Sequence, residues 1–333
     1  MRLGSLAQRL IWTAVGLGLL ALVSYELSQA GIRPIKLLET ALLPMTPLVL
    51  AAVGECVNER AGVINIGIEG IFLITAVLGV FWAEVLGSGL LGILMGGIFG
   101  AIIGGILGVI STYGRADQII AGIGLNVMSL GLVQYLLMAI WAFPGIHVFP
   151  RELVLPRIAL QTPIGVLRIS PMTIAAIIIA LLTALLLYKT LIGLRIRAAG
   201  DKPEAVDVAG ISVNRVRISA SIFAGFLAGL GGAFMPLAWF GGLVKEISAG
   251  RGFIALAAVV FAGLNPILAL AASFIFGFAE GLAFAIAVTP GVKEVMPFHF
   301  VQMTPYLVTI ITLAIFVTSR RFPRALGKPY IRE

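Results

Sequence analysis

Residues 191–217, LIGLRIRAAGDKPEAVDVAGISVNRVR, form the longest strongly polar stretch in a chain otherwise built from apolar runs. Arg195, Arg197, Lys202, Arg215 and Arg217 fall inside it. A polar island between runs long enough to cross a bilayer reads as an extramembranous loop, so the chain reads as an all-α, polytopic membrane protein. Composition agrees: 60% of the residues are hydrophobic and 11% charged, with mean hydropathy +1.09, against roughly 45–50% and 25% in soluble domains.

Working outward, apolar runs of about 17–25 residues mark spans near 9–29, 39–57, 63–85, 89–112, 118–142, 170–190, 218–242, 252–264, 267–288 and 304–319. That is about ten helices in one transmembrane domain over 1–333, with proline-containing loops near 143–169 and 289–303. The run 252–264 is too short to span fully at about 1.5 Å per residue, and reads as a half-helix or a tilted one. Arg2 and Arg9 precede the run Leu10–Val23, and Ser28-Gln29-Ala30 resembles a cleavage site. An uncleaved first span is the preferred reading, because further spans follow at once.

Charge sets the orientation. The net charge of +8 comes mostly from residues at span ends, so topology explains it and a nucleic-acid partner is not expected. With ten spans, Arg2 and Arg9, the 191–217 loop and the tail residues Arg320, Arg321, Arg324 and Lys328 share one side with Arg60 and Arg115. That side is expected to be the cytoplasm, with both termini there and 143–169 and 289–303 outside. Arg151, Arg157 and Arg168 oppose the bias. The forty glycines concentrate in apolar runs, for example Gly96, Gly97, Gly100, Gly104, Gly105 and Gly108, where small residues let helices pack closely.

Polar groups inside spans are costly and face protein, water or each other. GECVNERAGVINIGIEG at 54–70 places Glu55, Asn58, Glu59, Arg60, Asn65 and Glu69 around a junction between two runs. Glu55 and Glu59 are four apart, as are Asn65 and Glu69. Either these residues line or gate a translocation path, or the junction is a solvated turn in which Glu55 pairs with a nearby base. Asn126 and Gln134 share a face of the fifth span and suit either a polar solute or interhelical hydrogen bonds. Glu280 is an isolated carboxylate in the ninth span. Glu59-Arg60-Ala61-Gly62 and Ser248-Ala249-Gly250-Arg251-Gly252 each lead into a span from opposite sides, which would suit an inverted repeat.

Catalysis finds little support. No serine sits in a G-x-S-x-G elbow, and His147 and His299 lie beside outward-facing prolines rather than near a carboxylate motif. Cys56 is the lone cysteine, so neither a disulfide framework nor a His/Cys metal cluster is expected. No cofactor is implied. There is no G-x-x-x-x-G-K-[ST] loop, so energy must come from a gradient or a partner. Within 191–217, Asp201 is expected to cap a short helix with Pro203 and Glu204 in its first turn and Gly210 at its end. A helix of about eight residues outside the membrane needs a docking surface.

RAAGDKPEAVDVAGISVNRVR, with Gly200, Pro203, Glu204, Ala205, Gly210 and Ile211, resembles the cytoplasmic motif of permease subunits of bacterial ABC importers of the branched-chain amino acid, ribose and nucleoside type. Val206 stands where that family commonly has a second alanine. NERAGVINIGIEGIFLITA at 58–76 is similar to the signature of the nucleoside and simple-sugar branch, and 250–277 resembles the same branch. The resemblance covers roughly 40–320. It implies a bacterial cytoplasmic-membrane pore of two permease subunits, alike or different, with ABC ATPase subunits and an extracytoplasmic solute-binding protein. It also implies coupling to the ATPase through Gly200, Asp201, Pro203, Glu204, Ala205 and Gly210, and import of nucleosides, with simple sugars or branched-chain amino acids as alternatives. Path candidates are Glu55, Asn58, Glu59, Asn65, Glu69, Asn126 and Gln134. An ion-coupled secondary transporter using Glu69 or Glu280 is the alternative of another class.

Overall fold

The computed structural model describes residues 34–142, 145–163, 165–288 and 322–330. The expected first and last spans, 9–29 and 304–319, the 289–303 loop and His299 lie outside the described residues. The described part is helical: α1 (Pro34–Arg60), α2 (Ile68–Leu86), α3 (Gly89–Thr112), α4 (Gln118–Trp141), α5 (Pro171–Lys189), α6 (Leu191–Asp201), α7 (Pro203–Val208), α8 (Val213–Phe234), α9 (Arg251–Ala262) and α10 (Pro266–Val288). Seven of these are long and apolar enough to cross a membrane, α8 being extended by a π-helical turn, Met235–Phe240. A two-stranded antiparallel hairpin, β1 (Ile158–Thr162) and β2 (Gly165–Ile169), interrupts the otherwise all-α pattern in the loop before α5.

Several boundaries move for identifiable reasons. The expected span at 63–85 begins only at Ile68, because Gly62 takes φ +94° and the backbone stays out of the helix until Gly67. The expected 218–242 span begins at Val213, with Ser212 accepting from Arg215 N as N-cap, so the basic residues Arg215 and Arg217 are helical. At about 1.5 Å per residue, the 12 residues of α9 reach about 18 Å, well short of a ~30 Å hydrocarbon layer. The 191–217 stretch is thus two helices and the start of a third rather than a loop.

α1 forms the centre, buried along most of its length, and packs against α5, α8, α9 and α10. The closest helix pair is α3 with α8, and glycine explains it. A Cβ on Gly100 would stand 2.6 Å from Gly229 Cα, and one on Gly225 2.8 Å from Gly104 Cα. Gly97, Gly105 and Gly108 meet Phe226, Ile222 and Ser221 of the same partner helix. Lipid offers no hydrophobic drive between helices, so such close approach supplies the dispersion contact that holds them.

One end of the bundle carries the end of α1, the α3–α4 connection, α6, α7, Gly263 and Leu264 after α9, and the tail 322–330. The other carries the hairpin, the α2–α3 connection and Gly241, where His147 and Leu243 form a backbone bridge. Arg60, Arg115, the 191–217 basic residues, Arg324 and Lys328 therefore share one end, as their charge suggested.

Candidate functional site

The polar motif at 54–70 builds a non-helical strip, Ala61–Gly67, that folds back into the bundle between α1 and α2. Irregular backbone at membrane depth survives only where protein satisfies its hydrogen bonds, and the motif's polar side chains do this. Glu55 Oε1 accepts from Asn65 N at 2.8 Å, and Asn65 Oδ1 accepts from Gly67 N at 2.8 Å. Asn58 Nδ2 donates to the Glu55 carboxylate at 3.2 and 3.3 Å, while Asn58 Oδ1 accepts from Ser221 Oγ of α8 at 2.8 Å. Glu59 is buried in the same turn of α1.

α4 supports the strip from the other side with residues four apart. Gln118 Oε1 accepts from Ile64 N and Asn126 Oδ1 from Gly70 N, both at 2.8 Å, and Asn126 Nδ2 donates to Ile66 O at 3.0 Å. Between them, a Cβ on Gly122 would stand 2.8 Å from Gly67 N, so glycine is what lets α4 touch the strip. The 118–122–126 spacing is legible in the sequence, yet Gln118 was not a candidate: its partner is backbone, which has no side-chain signature. Gln134, two turns beyond Asn126, is exposed and stands apart from this network.

The strip's two ends hold α9. Glu69 Oε1 accepts from Ser248 Oγ at 2.5 Å and Gly250 N at 2.7 Å, and Oε2 accepts from Gly252 N at 2.7 Å, so this carboxylate caps the α9 N-terminus. At the far end, Arg60 donates to Leu264 O at 3.1 Å and Gly263 O at 3.2 Å. A negative charge meets the positive end of the helix and a positive charge its negative end. The segment Ser248–Gly252 is thus held by Glu69, whereas Arg60 of the echoing segment reaches the opposite end of α9.

Glu280, which had no visible partner in the sequence, pairs with Arg251 in the first turn of α9. That guanidinium also lies 4.6 Å from the ring centre of Trp239 and 5.4 Å from that of Phe240, two rings stacked at 4.3 Å where the π-helical turn ends α8. His147 does have a carboxylate neighbour after all. Glu84 accepts from Trp141 Nε1 at 2.8 Å and lies 2.7 Å from His147 Nε2, a pairing across 63 residues that sequence spacing hides.

On the other end of the bundle, α7 is six residues long, and its N-cap is Lys202 with no side-chain cap. Asp201 is instead the last residue of α6, because α6 continues through Gly200 and the chain breaks only at the residue before Pro203, as prolines require. Pro203 and Val206 are buried, Val206 against Ala199 and Val213, so the residue that departs from the resembling motif anchors the helix. Glu204, Ala205, Ala209 and Gly210 face outward, and Val208 is 90% exposed. Gly210 takes φ +79° and turns the chain toward α8.

The tail ties this helix to the strip. Tyr330 donates to Asp207 Oδ2 at 3.1 Å, Ala325 N donates to Gly200 O at 2.9 Å, and Gly327 N donates to Gly62 O at 3.1 Å. Arg217, wholly buried, donates to Lys328 O at 2.8 Å and to Ala61 O at 3.2 Å. A Cβ on Gly200 would stand 3.1 Å from Gly62 N, so α6 also rests directly on the strip.

The profile of the family described as branched-chain amino acid transport system / permease component matches residues 37–318. The nucleoside ABC transporter permease protein NupC of Lactococcus lactis subsp. cremoris is 35% identical over 311 residues, covering 88% of this chain and 95% of the relative. The guanosine ABC transporter permease protein NupQ of Bacillus subtilis is 33% identical over 303 residues, 87% and 95% of the two chains. TsgC13 of Haloferax volcanii, named provisionally as a glucose ABC transporter permease protein, is 30% identical over 322 residues, 89% and 98% of the two. No solved structure matches the chain significantly.

Proposed function

Because the chain belongs to the branched-chain amino acid transport system / permease component family, we propose that it is the pore-forming subunit of an ATP-driven nucleoside importer. The nucleoside and guanosine permeases among its relatives support that substrate class. The TsgC13 relative keeps a simple sugar as the second reading. Ten spans per subunit, with 9–29 and 304–319 as the outer pair, would place both termini in the cytoplasm of a bacterial inner membrane. The working assembly would add a second permease subunit, ABC ATPase subunits and an extracytoplasmic solute-binding protein.

The observation that carries the mechanism is the unbroken contact path from α7 to α9. α7 offers Val208, Glu204 and Ala205 to a partner while Val206 and Asp207 fix its back to α6, α8 and the tail. Closure of ATP-loaded motor subunits would move α7. The tail and Arg217 would pass that movement to Ala61 and Gly62, and the strip to α9 through Arg60 and Glu69. Such a chain supplies the contiguous physical link that coupling between distant sites requires. Glu55, Asn58, Glu59, Asn65, Glu69 and Asn126 then form the hinge wall of the translocation path, and Gln134 a position on its approach.

Uptake of radiolabelled guanosine and uridine by cells carrying or lacking the gene tests the substrate class. Uptake that persists after ATP depletion and collapses with the proton or sodium gradient would overturn the ATP-driven reading. Exchanging Val208 to Asp or Glu204 to Lys tests docking: co-purification of the ATPase and solute-stimulated hydrolysis should fall together, with the permease itself still folded.

A further inference from the structure

A groove of about 660 Å³ opens between α1, α5, α6 and α8 on the end of the bundle that carries α7. Its floor is apolar, from Leu186, Ile196, Val216 and Phe223, and its rim carries Arg195, Arg215, Ser212 and Ser219. No acidic residue lines it. Arg195 and Arg215 are exposed, and neither forms an ion pair among the described residues. The translocation mechanism above uses none of these side chains.

Its position fixes the surroundings. α5 ends its apolar span at Lys189, and α6 starts two residues later with Leu191, Ile192 and Leu194 at 73%, 59% and 53% exposure. Apolar side chains left open beside arginines, where a span ends, mark a helix lying in the bilayer interface. Apolar floor, cationic rim and interfacial depth match one molecule with an apolar chain and an anionic head. Basic pockets between membrane helices take such headgroups.

We propose that this groove binds one anionic phospholipid, its phosphate held between Arg195 and Arg215 with the Ser212 hydroxyl and the α8 N-terminus beside it, and an acyl chain laid over Phe223 and Leu186. A zwitterionic lipid carries a compensating cation that this rim repels. The groove also ends at Gly210 and Ile211, the turn that joins α7 to α8, so its occupant would brace the docking helix from behind.

The test uses the purified full chain, delipidated in neutral detergent and titrated with dioleoyl phosphatidylglycerol or dioleoyl phosphatidylcholine, with bound lipid counted by native mass spectrometry. One phosphatidylglycerol per chain should remain bound where phosphatidylcholine does not. The Arg195→Gln/Arg215→Gln double variant should lose about 30-fold in affinity, from two basic side chains near a membrane surface. Ser219→Trp, which fills the groove while leaving both arginines, should lose the site as well. Both variants exchange exposed residues, and a melting curve like that of the unmodified chain verifies their folds. Equal binding of the two lipids, unchanged phosphatidylglycerol binding by the double variant, or binding retained by Ser219→Trp would each overturn the proposal.

Discussion

Replacing Glu69 separates a structural role from a solute-binding one. The Glu69 carboxylate receives three donors, Ser248 Oγ and the amides of Gly250 and Gly252. In Glu69→Ala, two buried N–H groups at the start of α9 lose their acceptor. A hydrogen bond to a charged group contributes roughly 1.5–3 kcal/mol, and an orphaned buried donor costs about 1–3 kcal/mol. Water reaching the gap would recover part of this, so a loss of about 3–5 kcal/mol follows, large against a total stability on the order of 5–15 kcal/mol. Glu69→Gln keeps the shape and one acceptor oxygen but turns an NH₂ toward Gly252 N, and should fall between Ala and the unmodified chain. Ser248→Ala removes one donor and should cost about 1 kcal/mol. The assay is thermal unfolding of the detergent-solubilised chain, followed by tryptophan fluorescence, beside nucleoside uptake in cells. A melting point for Glu69→Ala within a degree or two of the unmodified chain would refute the clamp. Intact melting with abolished uptake would make Glu69 a solute contact instead.

Three further outcomes follow from the packing. Gly100→Leu or Gly225→Leu should force α3 and α8 apart and lower expression and melting temperature by an overpacking cost of about 1–3 kcal/mol or more, whereas Gly124→Ala and Gly131→Ala, whose added Cβ would meet nothing within 4 Å, should be neutral or slightly stabilising on the same melt. Arg217→Met should free the tail, since its donors to Ala61 O and Lys328 O disappear; limited proteolysis should cut near 322–330 in the variant before the intact chain is touched, and equal resistance would refute the anchoring. Glu280→Gln leaves Arg251 half-buried with the Ile247 and Ser248 carbonyls and the rings of Trp239 and Phe240 but no counter-charge, and breaking such a pair costs about 3–5 kcal/mol when fully buried. The partial exposure of this pair sets a smaller loss, and Arg251→Met/Glu280→Leu should recover part of it in a double-mutant cycle on melting temperature.

How much of this was legible in the sequence depends on which kind of partner each residue has. Spans from α1 to α10 follow from apolar run length, and the short α9 was visible as a run too short to cross. The α3–α8 glycines announce close packing by composition. What spacing could not reveal is any pairing made across the fold: Arg251 with Glu280, Glu84 with His147, Arg60 with the α9 C-terminus. Nor could it reveal that α6 continues to Asp201, because 191–201 is polar enough to read as loop, and only its burial of Gly193, Ile196 and Ala199 against the bundle makes the helix.

The polar motif at 54–70 carries the more general lesson. Carboxylates and amides in a membrane span invite the reading that they touch the solute, because their insertion is costly. Here Glu55, Asn65, Glu69 and Asn126 direct their polar atoms at backbone groups that the missing helical turn would otherwise leave unsatisfied. The cost of placing them in the membrane is therefore offset by a broken backbone, and a broken backbone is what can bend. A helix transmits force without changing shape, whereas in Ala61–Gly67 the backbone bonds to α1 stop at Val63 and the rest can reorient on acceptors that stay in place. On this view the same residues need not contact nucleoside to control its passage. Substitutions in the strip should then alter the coupling between ATP hydrolysis and uptake more than they alter the ranking of solutes. Measuring uptake per ATP hydrolysed for Asn65→Ala and Asn126→Ala decides this: lower stoichiometric efficiency with unchanged preference between guanosine and uridine fits the hinge, and a changed preference with intact coupling contradicts it.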